Sequence, residues 1–147
     1  MYAHPFSYHR ASSLLEASKL LQQLGDDARL IAGGQSLIPL MKMRMACPRA
    51  LVDINFIPGL NDISNRDGQL RFGALARHAD IEASDAASTI PIVHDCAAGI
   101  ADIQVRNQGT IGGSLAEADP SGDWRGSANF GYNGSVLPAR GRKGHRA

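Results

Sequence analysis

Apolar residues near the start of the chain recur at helical spacing and then form short continuous runs. The segment from Leu14 to Leu24 places an apolar residue at every third or fourth position, which is typical of one face of an α-helix. Ser13 and Glu16 fit a capping box in front of it, and Gly25 supplies a stop. The apolar run at 28–32 then predicts a buried strand that enters a tight turn.

A second helix and a second strand follow the glycine-rich turn. Residues 37–45 have a helical pattern in which Pro39 is tolerated only in the first turn. Pro48 ends this segment, and the apolar run at 50–54 is the next predicted strand. The order of helix, strand, turn, helix and strand indicates a small parallel βαβ unit.

The pattern changes after residue 57, where alternation replaces long apolar runs. Residues 65–68 have the chemistry of a hairpin turn, and residues 70–74 alternate as in a half-exposed strand. Helices are expected at 80–84 and 91–101, with apolar faces that pack on this sheet. We therefore expect a first lobe at residues 1–57 and a second, antiparallel lobe at residues 58–124.

The last segment, residues 125–147, is rich in Gly, Ser, Arg and Asn and has little periodicity. Such a composition buries too little apolar area to offset the entropy lost on ordering. The sequence predicts an unstructured tail here, and a truncated or frame-shifted reading frame is the alternative explanation.

Composition and charge narrow the class of protein. The chain has 147 residues, 44% of them hydrophobic and 20% charged, with a net charge of +1. These values are typical of a folded, soluble protein and do not favour nucleic acid as a partner. Cys47 and Cys96 lie outside any CxxC pattern, so we expect no metal site and a reducing, cytoplasmic location. No apolar run approaches the length of a membrane span.

Two glycine-rich motifs carry the candidate chemistry. The first, Ala32–Ser36, lies between a predicted strand and a predicted helix. Paired glycines let the backbone approach a ligand closely, and the N–H groups of such a turn can bind phosphate. A purely structural turn is the alternative for either motif taken alone.

The second motif, Thr110–Ser114, has similar chemistry about eighty residues downstream, with two glycines and two hydroxyls. We expect a second glycine loop, so that each lobe contributes one loop to a ligand with two phosphates. The GxGxxG pattern of a Rossmann domain is absent.

The two glycine motifs together resemble those of a known family. The pair Ala-Gly-Gly-x-Ser and Thr-Ile-Gly-Gly-Ser, at this separation, is similar to the FAD-binding medium subunits of molybdenum hydroxylases, of the aerobic carbon monoxide dehydrogenase type. Supporting segments lie at residues 6–8, 51–54, 70–74 and 118–120. The resemblance covers roughly residues 1–123, whereas residues from Trp124 onward match nothing that the family has there.

The resemblance implies a fold and a cofactor site. The fold is α+β, a two-lobed FAD-binding domain in which a small parallel βαβ lobe is followed by an incomplete antiparallel lobe with helices. FAD is the implied cofactor, and both motifs are expected to wrap its diphosphate. The implied FAD-binding residues are Ala32, Gly33, Gly34, Gln35, Ser36, Thr110, Ile111, Gly112, Gly113, Ser114, Asp123 and Ile100.

The resemblance also implies electron transfer as the function. Electrons would pass from iron–sulfur clusters on a small subunit through FAD to an acceptor, after oxidation of a substrate at a large molybdopterin subunit. No catalytic residue is predicted in this chain, because the redox chemistry belongs to the flavin. Two alternatives stay open: another flavoenzyme of this fold that acts directly on its substrate, and a non-catalytic truncated remnant.

Overall fold

The computed structural model describes residues 2–66, 69–119, 122 and 124, in which strands and helices together form an α+β fold. The strands are β1 (Ser7–Arg10), β2 (Ala28–Ile31), β3 (Ala50–Asp53), β4 (Ile63–Arg66) and β5 (Gln69–Phe72). The helices are α1 (Leu14–Leu24), α2 (Leu37–Lys42), α3 (His78–Glu82), α4 (Asp85–Thr89), α5 (Pro91–Gly99), α6 (Ile103–Gln108) and α7 (Ile111–Glu117).

The first part of the fold, which we call the parallel unit, comprises β1, β2, β3, α1 and α2. Its sheet has the order β1-β3-β2, and both outer strands run parallel to β3. All four residues of β3 are buried, as expected for a central strand that is covered on both sides. The small core contains Ala11, Ala17, Val52 and Ile57. The predicted parallel arrangement is confirmed, and β1 adds a strand that the sequence pattern did not predict.

Helix α1 begins and ends where the sequence signals place it. The Ser13 side chain accepts a hydrogen bond from the Glu16 N–H at 3.1 Å. The Glu16 carboxylate accepts in turn from the backbone N–H of Ser12, one residue earlier than in a standard capping box. Gly25 ends the helix with a φ of 75°, a conformation that glycine adopts without steric cost.

The second part, which we call the helical unit, comprises β4, β5 and helices α3 to α7. The two strands form an antiparallel hairpin in which Ile63 faces Phe72. The core of this unit contains Ala76, Ile81, Ala97, Ile100 and Trp124. Because β4 and β5 form the only sheet among its described residues, most of its core is built by short helices.

Several boundaries differ from the sequence predictions. Helix α2 ends at Lys42 rather than at residue 45, because Arg44 has a φ of 59° and its N–H donates back to Met41. The helix expected at 80–84 begins earlier, at His78 (α3), and a further helix that was not predicted, α4, follows from Asp85. Helix α6 was not predicted at all. The predicted tail at 125–147 lies outside the described residues.

Candidate cofactor site

The first glycine motif forms an open turn between β2 and α2. Gly34 has a φ of 72°, and its carbonyl accepts a hydrogen bond from the Ile38 N–H at 2.9 Å. Ser36 precedes α2 without making a side-chain capping bond. Among the described residues, none accepts a hydrogen bond from the backbone N–H groups of residues 33–36. The turn therefore presents a row of N–H groups from which no described residue accepts a hydrogen bond.

The second motif has a different structure from the one predicted. The sequence predicts a glycine loop, but Thr110 is the N-cap of α7 and residues 111–117 are helical. The Thr110 side chain is buried and accepts from the Gly113 N–H at 3.1 Å. The N–H groups of Ile111 and Gly112 donate to the carbonyls of Ala76 and Ala74. The donors of this first helical turn are thus already paired within the protein.

Ile111 and Gly112 dock α7 onto the rest of the helical unit. The Ile111 side chain packs against the core that contains Trp124. A Cβ at Gly112 would lie 2.5 Å from the Ala74 carbonyl oxygen and 2.9 Å from the Ala74 Cα. Only glycine permits this close approach of two backbones. Both residues therefore shape the wall of the site through packing.

The two motifs come close together in the fold. Gly33 lies directly against the backbone that precedes the second motif: a Cβ at Gly33 would overlap the Gln108 carbonyl and lie 2.9 Å from the Gly109 Cα. A cleft of about 350 Å³ lies between residues of both motifs. The described residues that line the cleft are Gln35, Ser36, Pro39, Leu40, Met43, Ser114, Glu117, Asp119 and Gly122.

Hydrogen bonds tie the first motif to the end of β3. The Asn55 amide nitrogen donates to the Ala32 carbonyl at 2.7 Å and to Asp53 Oδ1 at 2.7 Å. The other carboxylate oxygen of Asp53 accepts from the Tyr8 hydroxyl. Burial raises the pKa of Asp53, but the hydrogen bonds from Tyr8 and Asn55 outweigh burial and hold this pKa below its ordinary value. Asp53 therefore stays ionised and acts as a fixed acceptor.

Arg77 connects this group to the second motif. One guanidinium nitrogen donates to the Gln108 carbonyl, and the other donates to Asn55 Oδ1 at 2.9 Å. Arg77 also forms an isolated antiparallel bridge with Thr110. Asp53, Asn55 and Arg77, which we call the bridging network, therefore link the parallel unit to the helical unit.

The remaining predicted site residues have other surroundings. Ile100 ends α5 and is buried in the core with Trp124, and it is not among the described residues that line the cleft. Asp123 lies outside the described residues.

Asn55 and Arg77 were not identified from the sequence. No local pattern marks the bonds by which they connect the two motifs, because those partners lie 22 to 31 residues away along the chain.

Comparison with known proteins decides the family. Residues 4–131 match the family described as "FAD binding domain in molybdopterin dehydrogenase". The chain belongs to this family. The resemblance to the FAD-binding subunits of molybdenum hydroxylases is thus confirmed, and FAD is the cofactor of the domain. The expected limit at residue 123 was wrong, because the family match extends past Trp124 to residue 131.

Two relatives illustrate the breadth of this FAD-binding family. The chain is 50% identical over 119 residues to the 6-hydroxypseudooxynicotine dehydrogenase complex subunit alpha of Paenarthrobacter nicotinovorans, which covers 80% of this chain and 40% of that protein. It is 45% identical over 119 residues to the carbon monoxide dehydrogenase medium chain of Hydrogenophaga pseudoflava, which covers 80% of this chain and 42% of that protein. The chain thus spans about two fifths of the length of these relatives.

A solved structure has the same fold. The crystal structure of the cyanide-inactivated Cu,Mo-CO dehydrogenase superimposes with a TM-score of 0.81 at 42% identity, over 84% of this chain and 44% of that chain. The likeness to this structure confirms the predicted α+β fold class. Among the described residues, no helix has the length and apolar character that a membrane crossing requires.

Proposed function

We propose that this chain holds FAD in the cleft between its two glycine motifs and serves as an electron-transfer subunit. The observation that carries the proposal is the row of backbone N–H groups at residues 33–36, which donate to no described residue. Groups of this kind at a positive-φ turn suit a diphosphate, whose oxygens are acceptors only. The side chains of Gln35 and Ser36 add donors at the same edge of the cleft.

The other predicted contacts divide into donors and packing residues. Ser114 lines the cleft and offers a hydroxyl from the second motif. Glu117 and Asp119 line it as well and suit ribose hydroxyls better than phosphate, because carboxylates accept hydrogen bonds. The hypothesis keeps Ala32, Ile100 and Asp123 as FAD contacts. For Thr110, Ile111, Gly112 and Gly113 it favours a role in shaping the wall that faces the first motif.

Electron transfer and partner subunits belong to the same proposal. When bound, FAD supplies the redox chemistry, while the residues of this chain bind and orient it. Relatives named as medium chains and as subunits of dehydrogenase complexes support a large molybdopterin subunit and a small iron–sulfur subunit as partners. Their names refer to different substrates, so the oxidised substrate is expected to be chosen on another subunit. Free Cys47 and Cys96 favour a cytoplasmic location.

Lobe boundaries at residues 57 and 58 are also part of the proposal. The core of the parallel unit includes Ile57, and Leu60 packs against it from the other side of this boundary. The division is therefore expected to be a short connection rather than a free linker.

The test compares two glycines that have nearly the same positive φ. Gly34 and Gly25 have φ values of 72° and 75°, so an alanine at either position costs about 1 kcal/mol or more in backbone strain. Only Gly34 belongs to the first motif. We expect Gly34→Ala to weaken FAD binding at least about tenfold, because the turn that aims the N–H groups is distorted, while Gly25→Ala binds FAD as the parent does.

Calorimetric titration with FAD and a visible absorbance spectrum measure the outcome. Equal affinity in the two variants would remove the first motif from the site. A parent protein that binds no flavin would favour the non-catalytic alternative. A flavin that is reduced by a small substrate without added subunits would favour the directly acting flavoenzyme.

A further inference from the structure

We propose that Arg77 is a positioning residue for the cofactor site, which sets the distance between the two glycine motifs; this inference rests on the proposed function. Arg77 is not among the described residues that line the cleft. Its guanidinium instead joins Asn55 of the connection after β3 to the Gln108 carbonyl at the end of α6. It acts on the site through these two neighbours.

The direction of the Asn55 amide supports this role. Its nitrogen has two acceptors, the Ala32 carbonyl and the Asp53 carboxylate, and its oxygen has one donor, the Arg77 guanidinium. Because an amide oxygen cannot donate and a guanidinium cannot accept, the flipped orientation would lose all three bonds. The backbone N–H of Asn55 also donates to Asp53 Oδ1 at 2.8 Å. Asn55 is thereby a rigid link between Arg77 and the first motif.

On its other side, Arg77 bonds a carbonyl that contacts the first motif. Gln108 O accepts from Arg77 and also lies against Gly33, where a Cβ would overlap it. Arg77 therefore holds the backbone that Gly33 touches, while Asn55 holds Ala32 next to Gly33. Both sides of the contact between the motifs are fixed by the same guanidinium.

Arginine has the chemistry that this position requires. Its planar group donates in two directions at once from nitrogens held at a fixed separation, whereas the single ammonium of lysine has no such geometry. A change at Arg77 is thus expected to loosen the spacing of the motifs. Ligand affinity should fall for any ligand that must contact both motifs at once.

The experiment measures FAD affinity and chemical denaturation for the parent, Arg77→Met and Arg77→Lys. Arg49→Met is the matched control, because Arg49 is an arginine whose side chain has a partner, Asp27 at 3.4 Å, on the exposed surface. We expect Arg77→Met to bind FAD at least about tenfold more weakly, Arg77→Lys to be intermediate, and Arg49→Met to bind as the parent does.

A double-mutant cycle separates positioning from general stability. If Arg77 acts through Asn55, the loss of FAD affinity in Arg77→Met combined with Asn55→Ala will be smaller than the product of the two single losses. A purely structural Arg77 would lower the denaturation midpoint and leave the affinity of the folded protein unchanged, which would overturn the inference. If Arg77→Met does not fold, parent-like affinity in Arg77→Lys would overturn it instead. A parent that binds no FAD would overturn the proposed function, and this inference with it.

Discussion

The two glycine motifs have similar letters but different structures. In the first, residues 33–36 form an open turn whose N–H groups donate to no described residue. In the second, residues 111–113 begin a helix, and their N–H groups donate to Ala76, Ala74 and the Thr110 side chain. The first motif presents donors, while the second presents a closed, packed wall. The comparison teaches that a glycine pair alone does not determine whether the neighbouring N–H groups are paired within the fold.

The difference has a local cause in the residue that caps the helix of each motif. The Thr110 hydroxyl caps α7, whereas Ser36, the N-cap of α2, makes no side-chain capping bond. Neighbouring carbonyls add to the contrast, because those of Ala76 and Ala74 accept from the N–H groups of Ile111 and Gly112. The Gln108 carbonyl lies against Gly33, but no described carbonyl accepts from the N–H groups of residues 33–36. Whether these donors are paired therefore depends on the neighbouring acceptors and not on the glycines alone.

Among the variants that test this comparison, Gly112→Ala is expected to lower the free energy of unfolding the most. The added methyl would overlap the Ala74 backbone, which cannot move as a side chain could, so the unfolding free energy should fall by about 3 kcal/mol. Gly99→Ala is the matched control, since a Cβ there meets nothing within 4 Å. Urea denaturation measures both. A stable Gly112→Ala protein would show that α7 is not docked as closely as described.

A smaller effect is expected at the N-cap of the second motif. Thr110→Val removes the hydroxyl that accepts from Gly113, and should cost about 1 kcal/mol of unfolding free energy. Thr110→Ser keeps the hydroxyl and should recover most of this loss. FAD affinity should change less than about twofold, because the Thr110 hydroxyl is expected to cap α7 rather than to bond the ligand. A large loss of affinity at unchanged stability would instead assign the hydroxyl to the cofactor.

The smallest expected effect is on the pH dependence of stability, and it involves Asp53, which Asn55 links to the first motif. The pKa of Asp53 lies below its ordinary value in the folded chain, so its contribution to stability is present above the pKa of the unfolded chain. That contribution is lost as pH falls through the lower, folded pKa. We expect Asp53→Asn to reduce the acid sensitivity of the unfolding free energy, as measured by denaturation from neutral pH down to about pH 3. An identical pH profile in the variant would exclude Asp53 as an acid-sensitive group.

The sequence predicted those elements whose signals are local. Helix α1 was predicted with both ends because Ser13 and Gly25 mark them, and β3 because its apolar run is buried. Strand β1 was missed, since three of its four residues are exposed and show no alternation. Helix α6 was missed as well, although Asp102 accepts hydrogen bonds from two N–H groups of its first turn and could have indicated a cap.

The site was predictable only in part, for a related reason. The glycine motifs were visible in the sequence, but a glycine pair lowers helix propensity, and this led to the prediction of a loop where α7 begins. The cap at Thr110 and the spacing of Ile111 and Leu115 were signals for a helix. The bridging network depends on contacts between residues far apart in the chain, and no local pattern encodes them.

The order in which the strands pair has a consequence for biosynthesis. Strands β1 and β2 both pair with β3, so every partner in the parallel sheet is available once residue 53 has been made. This unit can therefore assemble on the ribosome before Gln108 and Gly109 emerge. Gly33 meets those residues only later. During translation the turn at residues 33–36 can thus form before the residues of the second motif that line the cleft have been made.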